Sequence, residues 1–200
     1  GLIADRFKKR QSIKDLTIKE IIESVGNNGQ AFCRALLDGG TDEENFVGQT
    51  LLVLEFDGDL KYREFKEKCE KYSLSYAFTY KTLGSCANQK GFGAVFLMDR
   101  WIKNPALAKA ANILLRAFFS PVGAECLNLG GYFLGGKGII EKKLYAKINI
   151  VELARNLEIY YRETKGRNNS KELKRLGKKS GICVKNGELC IYNENEFDLE

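Results

Sequence analysis

Glu55-Phe56-Asp57 closes an apolar run, Leu51-Leu52-Val53-Leu54, that is short and β-branched enough for a buried strand. Strand alternation puts Glu55 and Asp57 on one face and Phe56 on the other, so two carboxylates converge where the strand ends. Paired oxygens at that spacing suit a hard divalent cation, Mg²⁺ or Mn²⁺, and one or two such ions organise phosphoryl transfer to a 3′-hydroxyl. Acid-x-acid before Gly58-Asp59 is also ordinary turn chemistry, and both readings stand at this stage. The chain has no histidine, which removes Ser-His-Asp and Cys-His nucleophile systems and His-ligated zinc or iron. Any chemistry is left to carboxylates, lysines or bound metal.

A second constellation is Lys90-Gly91-Phe92-Gly93-Ala94-Val95-Phe96-Leu97. It comes close to the longer ribonucleoprotein motif of RNA-recognition domains, with Ala94 where a base-stacking aromatic belongs. Phe92 and Phe96 then either form a stacking platform or lie in the core beneath helices. The net charge of +6 is also uneven: residues 141–179 hold 12 Lys/Arg against 5 acids, a local +7, so the rest of the chain sums to −1. Lys171, Lys174, Arg175, Lys178 and Lys179 carry much of this excess, on a helix that Ser170 is expected to cap. A basic face of this kind attracts polyanions such as nucleic acid, or simply solvates a helix.

The elements that must position these residues follow from periodicity. Thr17-Ile18-Lys19-Glu20 is a capping box opening a short helix that Gly26 should stop. Gln30 to Leu37 reads as a strand and Thr41 to Asn45 as loop. Tyr62, Phe65, Cys69 and Tyr72 recur at helical spacing. Ser75 to Tyr80 and Phe92 to Leu97 read as strands, Asn104-Pro105 caps an apolar helix, and Tyr132-Phe133-Leu134 reads as a last strand. The order strand, helix, strand, strand, helix, strand over residues 50–140 is the split βαβ, ferredoxin-like plan of an α+β protein. Residues 1–140 form that module with an N-terminal extension, and 141–200 add basic helices and a hairpin, Ile182 to Tyr192, turning at Asn186-Gly187.

At 200 residues the chain can bury a self-sufficient core. Its six cysteines include no Cys-x-x-Cys pair, so reduced thiols are expected, Cys183 facing Cys190 across the hairpin included. No apolar run approaches the length of a membrane span and Gly1-Leu2-Ile3-Ala4-Asp5-Arg6 lacks an export core, so a cytoplasmic protein without a membrane partner is expected.

From Thr17 to Lys137, about sixty per cent of the chain, the sequence resembles the archaeo-eukaryotic primase superfamily, more narrowly the primase-polymerase domains of replication proteins from Gram-positive mobile elements. The residues that carry the likeness are Gln30-Ala31-Phe32-Cys33-Arg34-Ala35-Leu36, Glu44-Asn45-Phe46-Val47-Gly48-Gln49, Leu54-Glu55-Phe56-Asp57, Phe78-Thr79-Tyr80-Lys81-Thr82, Phe92-Gly93-Ala94-Val95-Phe96 and Tyr132-Phe133-Leu134-Gly135-Gly136-Lys137. The resemblance implies a ferredoxin-like catalytic module in which Glu55 and Asp57 bind Mg²⁺ or Mn²⁺. It also implies Glu125 as stand-in for a third acid that falls on Gly123, and Lys81, Lys90 or Lys137 on the triphosphate. The family's small-x-His step falls near Gly84-Ser85-Cys86, and two of its arginines fall on Gly93 and Gly131. Losing several such groups costs orders of magnitude in rate. Three functions follow as expectations: a single-stranded DNA-binding primase-like protein with catalysis weak or lost, working beside replication proteins such as a helicase; an active metal-dependent DNA primase; or a protein-interaction module using the acidic tail 193–200 and the apolar helix 104–119.

Overall fold

The computed structural model describes residues 16–38, 43–58, 60–83, 91–119, 129–165, 169–185 and 188–191. Helix α1 (Ile18–Ile21) opens on the expected capping box: the Glu20 N–H donates to Thr17 Oγ1 at 3.3 Å and the Thr17 N–H to Glu20 Oε2 at 2.7 Å. Gly26 does not stop it. The helix widens into a π turn, Ile22–Asn27, and the chain reverses at Gly29, φ +67°. Gly26 is needed for contact instead, since a side chain there would strike Ile139.

The stretch expected as one strand is two, β1 (Phe32–Cys33) and β2 (Ala35–Leu37), and of the loop expected over Thr41 to Asn45 the described part is a 3₁₀ turn, Glu43–Asn45, with Thr41 and Asp42 outside the described residues. There follow β3 (Phe46–Phe56), α2 (Tyr62–Lys71), β4 (Phe78–Thr82), β5 (Phe92–Ile102), α3 (Pro105–Ala117), β6 (Tyr132–Phe133), β7 (Gly136–Lys142), α4 (Ile150–Lys165), α5 (Asn169–Ser180), β8 (Ile182–Lys185) and β9 (Glu188–Ile191). The main sheet has five strands in the order β2-β3-β5-β4-β7, antiparallel throughout. Strands β3 and β4 are joined through α2 and separated by β5, as a split βαβ unit requires.

The last strand departs from expectation. Tyr132-Phe133 leaves the sheet and pairs with β1, Phe32 facing Phe133 and Cys33 facing Tyr132. The outer edge beside β4 is taken by β7, and β2 occupies the edge beside β3. The cause lies in Gly135, whose Cβ would fall 2.6 Å from the Val25 and Gln30 carbonyl oxygens. Backbone laid against backbone there holds the chain beside the α1 turn and delivers Gly136 to the β4 edge.

Both sheet faces are covered. On one, Leu52, Leu54, Phe92, Phe96 and Met98 pack with the α2 stripe, where Phe65, Cys69 and Tyr72 are buried as their spacing requires, and with α3. Leu153, Leu157, Tyr161 and Leu176 bring α4 and α5 into this same core. On the other, Leu51, Val53, Phe78, Tyr80 and Val95 pack beneath Ile22 and Val25. Burying one such large apolar side chain contributes about 1.5–3 kcal/mol. Asn104 caps α3, its Oδ1 accepting from the Leu107 N–H at 3.0 Å with Pro105 in the first turn. Helix α5 begins at Asn169 rather than after Ser170. In the hairpin Cys183 faces Cys190 with no disulfide between them. Among the described residues no helix is long and apolar enough to cross a membrane.

Just past the Tyr72 cap of helix α2, Ser73 stands at φ +52°, the left-handed position that follows many helices and favours glycine. Ser73→Gly will stabilise the protein by about 0.5–1 kcal/mol, readable as a raised midpoint in urea unfolding; an unchanged or lowered midpoint would show that the serine is not strained.

Candidate functional site

Three strands contribute one residue each to a single rung: Glu55 on β3 faces Gly93 on β5, and Gly93 faces Tyr80 on β4. The Tyr80 ring lies across the bare glycine. A Cβ on Gly93 would come within 2.6 Å of Tyr80 Cε1 and Oη, and one on Gly136 would come within 2.6 Å of Cδ2. The ring so threaded delivers its hydroxyl to Glu55 Oε1 at 3.1 Å, with the Leu134 carbonyl at 3.4 Å. Gly91 extends the bare floor, since its Cβ would meet Thr82 Oγ1 at 2.5 Å and lie 3.8 Å from Asp57 Cα.

Glu55 keeps solvent access at the strand end, yet the surrounding protein raises its carboxyl above the ordinary range. The Tyr80 hydrogen bond opposes that rise and the Asp57 charge adds to it. Burial and the Glu55 charge in turn hold the Tyr80 hydroxyl protonated, as a permanent donor. Phe56 turns away from Glu55 to stack on Phe92 with centroids 4.7 Å apart, and Asp57 follows just past the end of β3.

A carboxyl raised by folding destabilises the native state wherever it must be charged. That cost is present above the folded pKa and disappears as pH falls through it and the group takes its proton. Glu55→Gln, which still accepts from Tyr80, will therefore raise the melting temperature at pH 7, and the gain will vanish by about pH 4. A variant less stable than wild type at pH 7 would contradict this placement.

The remaining expected site residues separate. Glu125, Lys90, Gly123 and Gly84-Ser85-Cys86 lie outside the described residues. Lys81 is exposed, but it follows Tyr80 on the strand and so alternates to the α2 side, away from Glu55. Lys137 is exposed on β7, next to the Gly136 that backs the Tyr80 ring. Phe92 and Phe96 require correction as a stacking platform. They are 2% and 0% exposed and both pack on Phe65 of α2, so neither offers a ring face to a base. On α5, Lys171, Arg175, Lys178 and Lys179 are exposed and Lys174 is half-buried, while Leu173 and Leu176 pack into the core. Spacings of three, four and seven residues put those cations on one face, opposite the leucines.

Tyr80 was not singled out by residue type. The available signal was the pair of glycines at 91 and 93 opposite an aromatic strand, since a cross-strand ring needs such a gap. Gly93, where the resembling family has an arginine, has no room for one, because Tyr80 fills the space. Two carboxylates with water and substrate phosphates form a donor set that Mg²⁺ accepts, so Glu55 and Asp57 suit that ion. Among the described residues, no group of three His, Cys, Asp or Glu side chains could hold a metal by itself.

No protein-family model, no curated protein and no solved structure matches the chain. The molecule is a mixed α+β protein with an antiparallel five-stranded sheet, Glu55 held by Tyr80 at one strand end and a basic helix face.

Proposed function

We propose that this chain is a primase-like protein of mobile-element DNA replication that binds single-stranded DNA, with catalysis weak or lost. The observation that carries the reading is the exposed row Lys171, Arg175, Lys178 and Lys179, on a helix anchored from its opposite side by Leu173 and Leu176. Cations carried on a packed helix present phosphate contacts with no backbone left to order, only their own side chains. The interleaved β3-β5-β4 strands with Glu55 and Asp57 at the end of β3 support the primase-like part, as half of a ferredoxin-like core. Weak catalysis is supported by Tyr80, whose ring stands where a phosphate-binding arginine would need space.

An active metal-dependent primase is the second reading, favoured by the place of Glu55 near the end of β3 with Asp57 just beyond it. In it these carboxylates hold Mg²⁺ or Mn²⁺, which supplies the charge that phosphoryl transfer needs. A role as interaction module is less well supported. The apolar side of α3 is spent internally, with Ala108, Ala111, Leu114 and Leu115 all buried, and the acidic tail lies outside the described residues. Contact with a helicase or another replication protein remains part of the proposal.

A single assay separates the readings: a labelled single-stranded template is mixed with the protein, Mn²⁺ and nucleoside triphosphates, and both binding and product are scored. The template bound and unextended is the expected result. Product that disappears in Asp57→Asn would establish the active primase, and an unbound template at low salt would overturn both.

A further inference from the structure

Trp101 is the only tryptophan in the chain. It lies near the end of β5, 41% exposed, far along the sheet from Glu55. Its indole takes the space a side chain at Gly48 would need: a Cβ there would fall 2.6 Å from Cζ2 and closer to Cε2 and Nε1. The indole is thus backed by β3 backbone and still open to solvent. Arg100 and Lys103 flank it and are exposed. The neighbouring acid, Asp99, is engaged, accepting from Asn149 Nδ2 at 2.7 Å and pairing with Arg100 Nε at 3.5 Å.

A supported, solvent-facing indole with an exposed lysine two residues on is what a single strand uses: a base stacks on the ring and a neighbouring phosphate meets the charge. We propose that Trp101 is a stacking platform for a base of single-stranded DNA, with Lys103 on an adjoining phosphate. It takes the part that the buried Phe92 and Phe96 cannot. This inference rests on the single-stranded DNA reading and locates one contact within it.

Because the chain has no other tryptophan, emission excited to the red of the tyrosine absorption band reports this residue alone. Oligothymidylate titrated into the wild-type protein is followed at once by Trp101 emission and, with a labelled oligonucleotide, by anisotropy. The expected result is quenching that saturates with the anisotropy, and affinity lowered roughly ten- to a hundredfold in Trp101→Leu but only a few-fold in Trp101→Phe. Anisotropy that rises while emission stays constant would overturn the platform and leave the binding reading intact. No change in either signal at low salt would overturn both. The wild-type emission decides the matter even if Trp101→Leu is unstable.

Discussion

Lys171→Glu, Arg175→Glu, Lys178→Glu and Lys179→Glu together will lower affinity for a single-stranded oligonucleotide at least a hundredfold at about 0.1 M salt. Each phosphate neutralised by a fixed cation releases counterions, so log affinity falls with log salt by about 0.7 per contact on a single strand. Removing such contacts flattens that slope, and replacing them with like charge adds repulsion. The fold should tolerate the change, because these side chains are exposed while Leu173 and Leu176 hold the helix, and surface substitutions usually stay within about 0.5 kcal/mol each. Circular dichroism and anisotropy on one preparation check it. Unchanged affinity in a folded variant would remove α5 from the interface.

The second large effect concerns the floor of the acid site. Gly93→Ala puts a methyl into the Tyr80 ring, which is fully buried and locked on its other side by Gly136. The ring has nowhere to retreat, so the substitution will cost about 1–3 kcal/mol and lower the melting temperature by roughly 2–10 °C. It also pulls the hydroxyl from Glu55. The conflict belongs to the pair, so in a Tyr80→Leu background the same Gly93→Ala change will cost much less. Equal costs in both backgrounds would show that Tyr80 does not lie over Gly93.

What could be read in the sequence was whatever depends on near neighbours. The run Leu51–Phe56 had to be a strand, and alternation alone put Glu55 and Phe56 on opposite faces. The Tyr62-Phe65-Cys69-Tyr72 stripe and the Asn104-Pro105 cap likewise required only helical geometry. What escaped depends on which distant segments meet. Tyr132-Phe133-Leu134 and Gly136–Lys142 are both acceptable strands by local pattern, and backbone contact at Gly135 decides that the second joins the sheet. Phe92 and Phe96 are spaced as a platform would be, but they share the face on which α2 packs, and no local signal says which face helices will cover. Tyr80 and Gly93 become partners only through the β4–β5 register.

One set of measurements bears most directly on the central claim, that this protein holds single strands through fixed cations. It is the salt dependence of oligonucleotide affinity for the wild-type chain beside the four-glutamate variant. The expected wild-type log–log slope is about −3.5, from four phosphate contacts on α5 and one at Lys103, with a slope well below half of that in the variant. A wild-type slope near zero, or the same slope in both proteins, would contradict it.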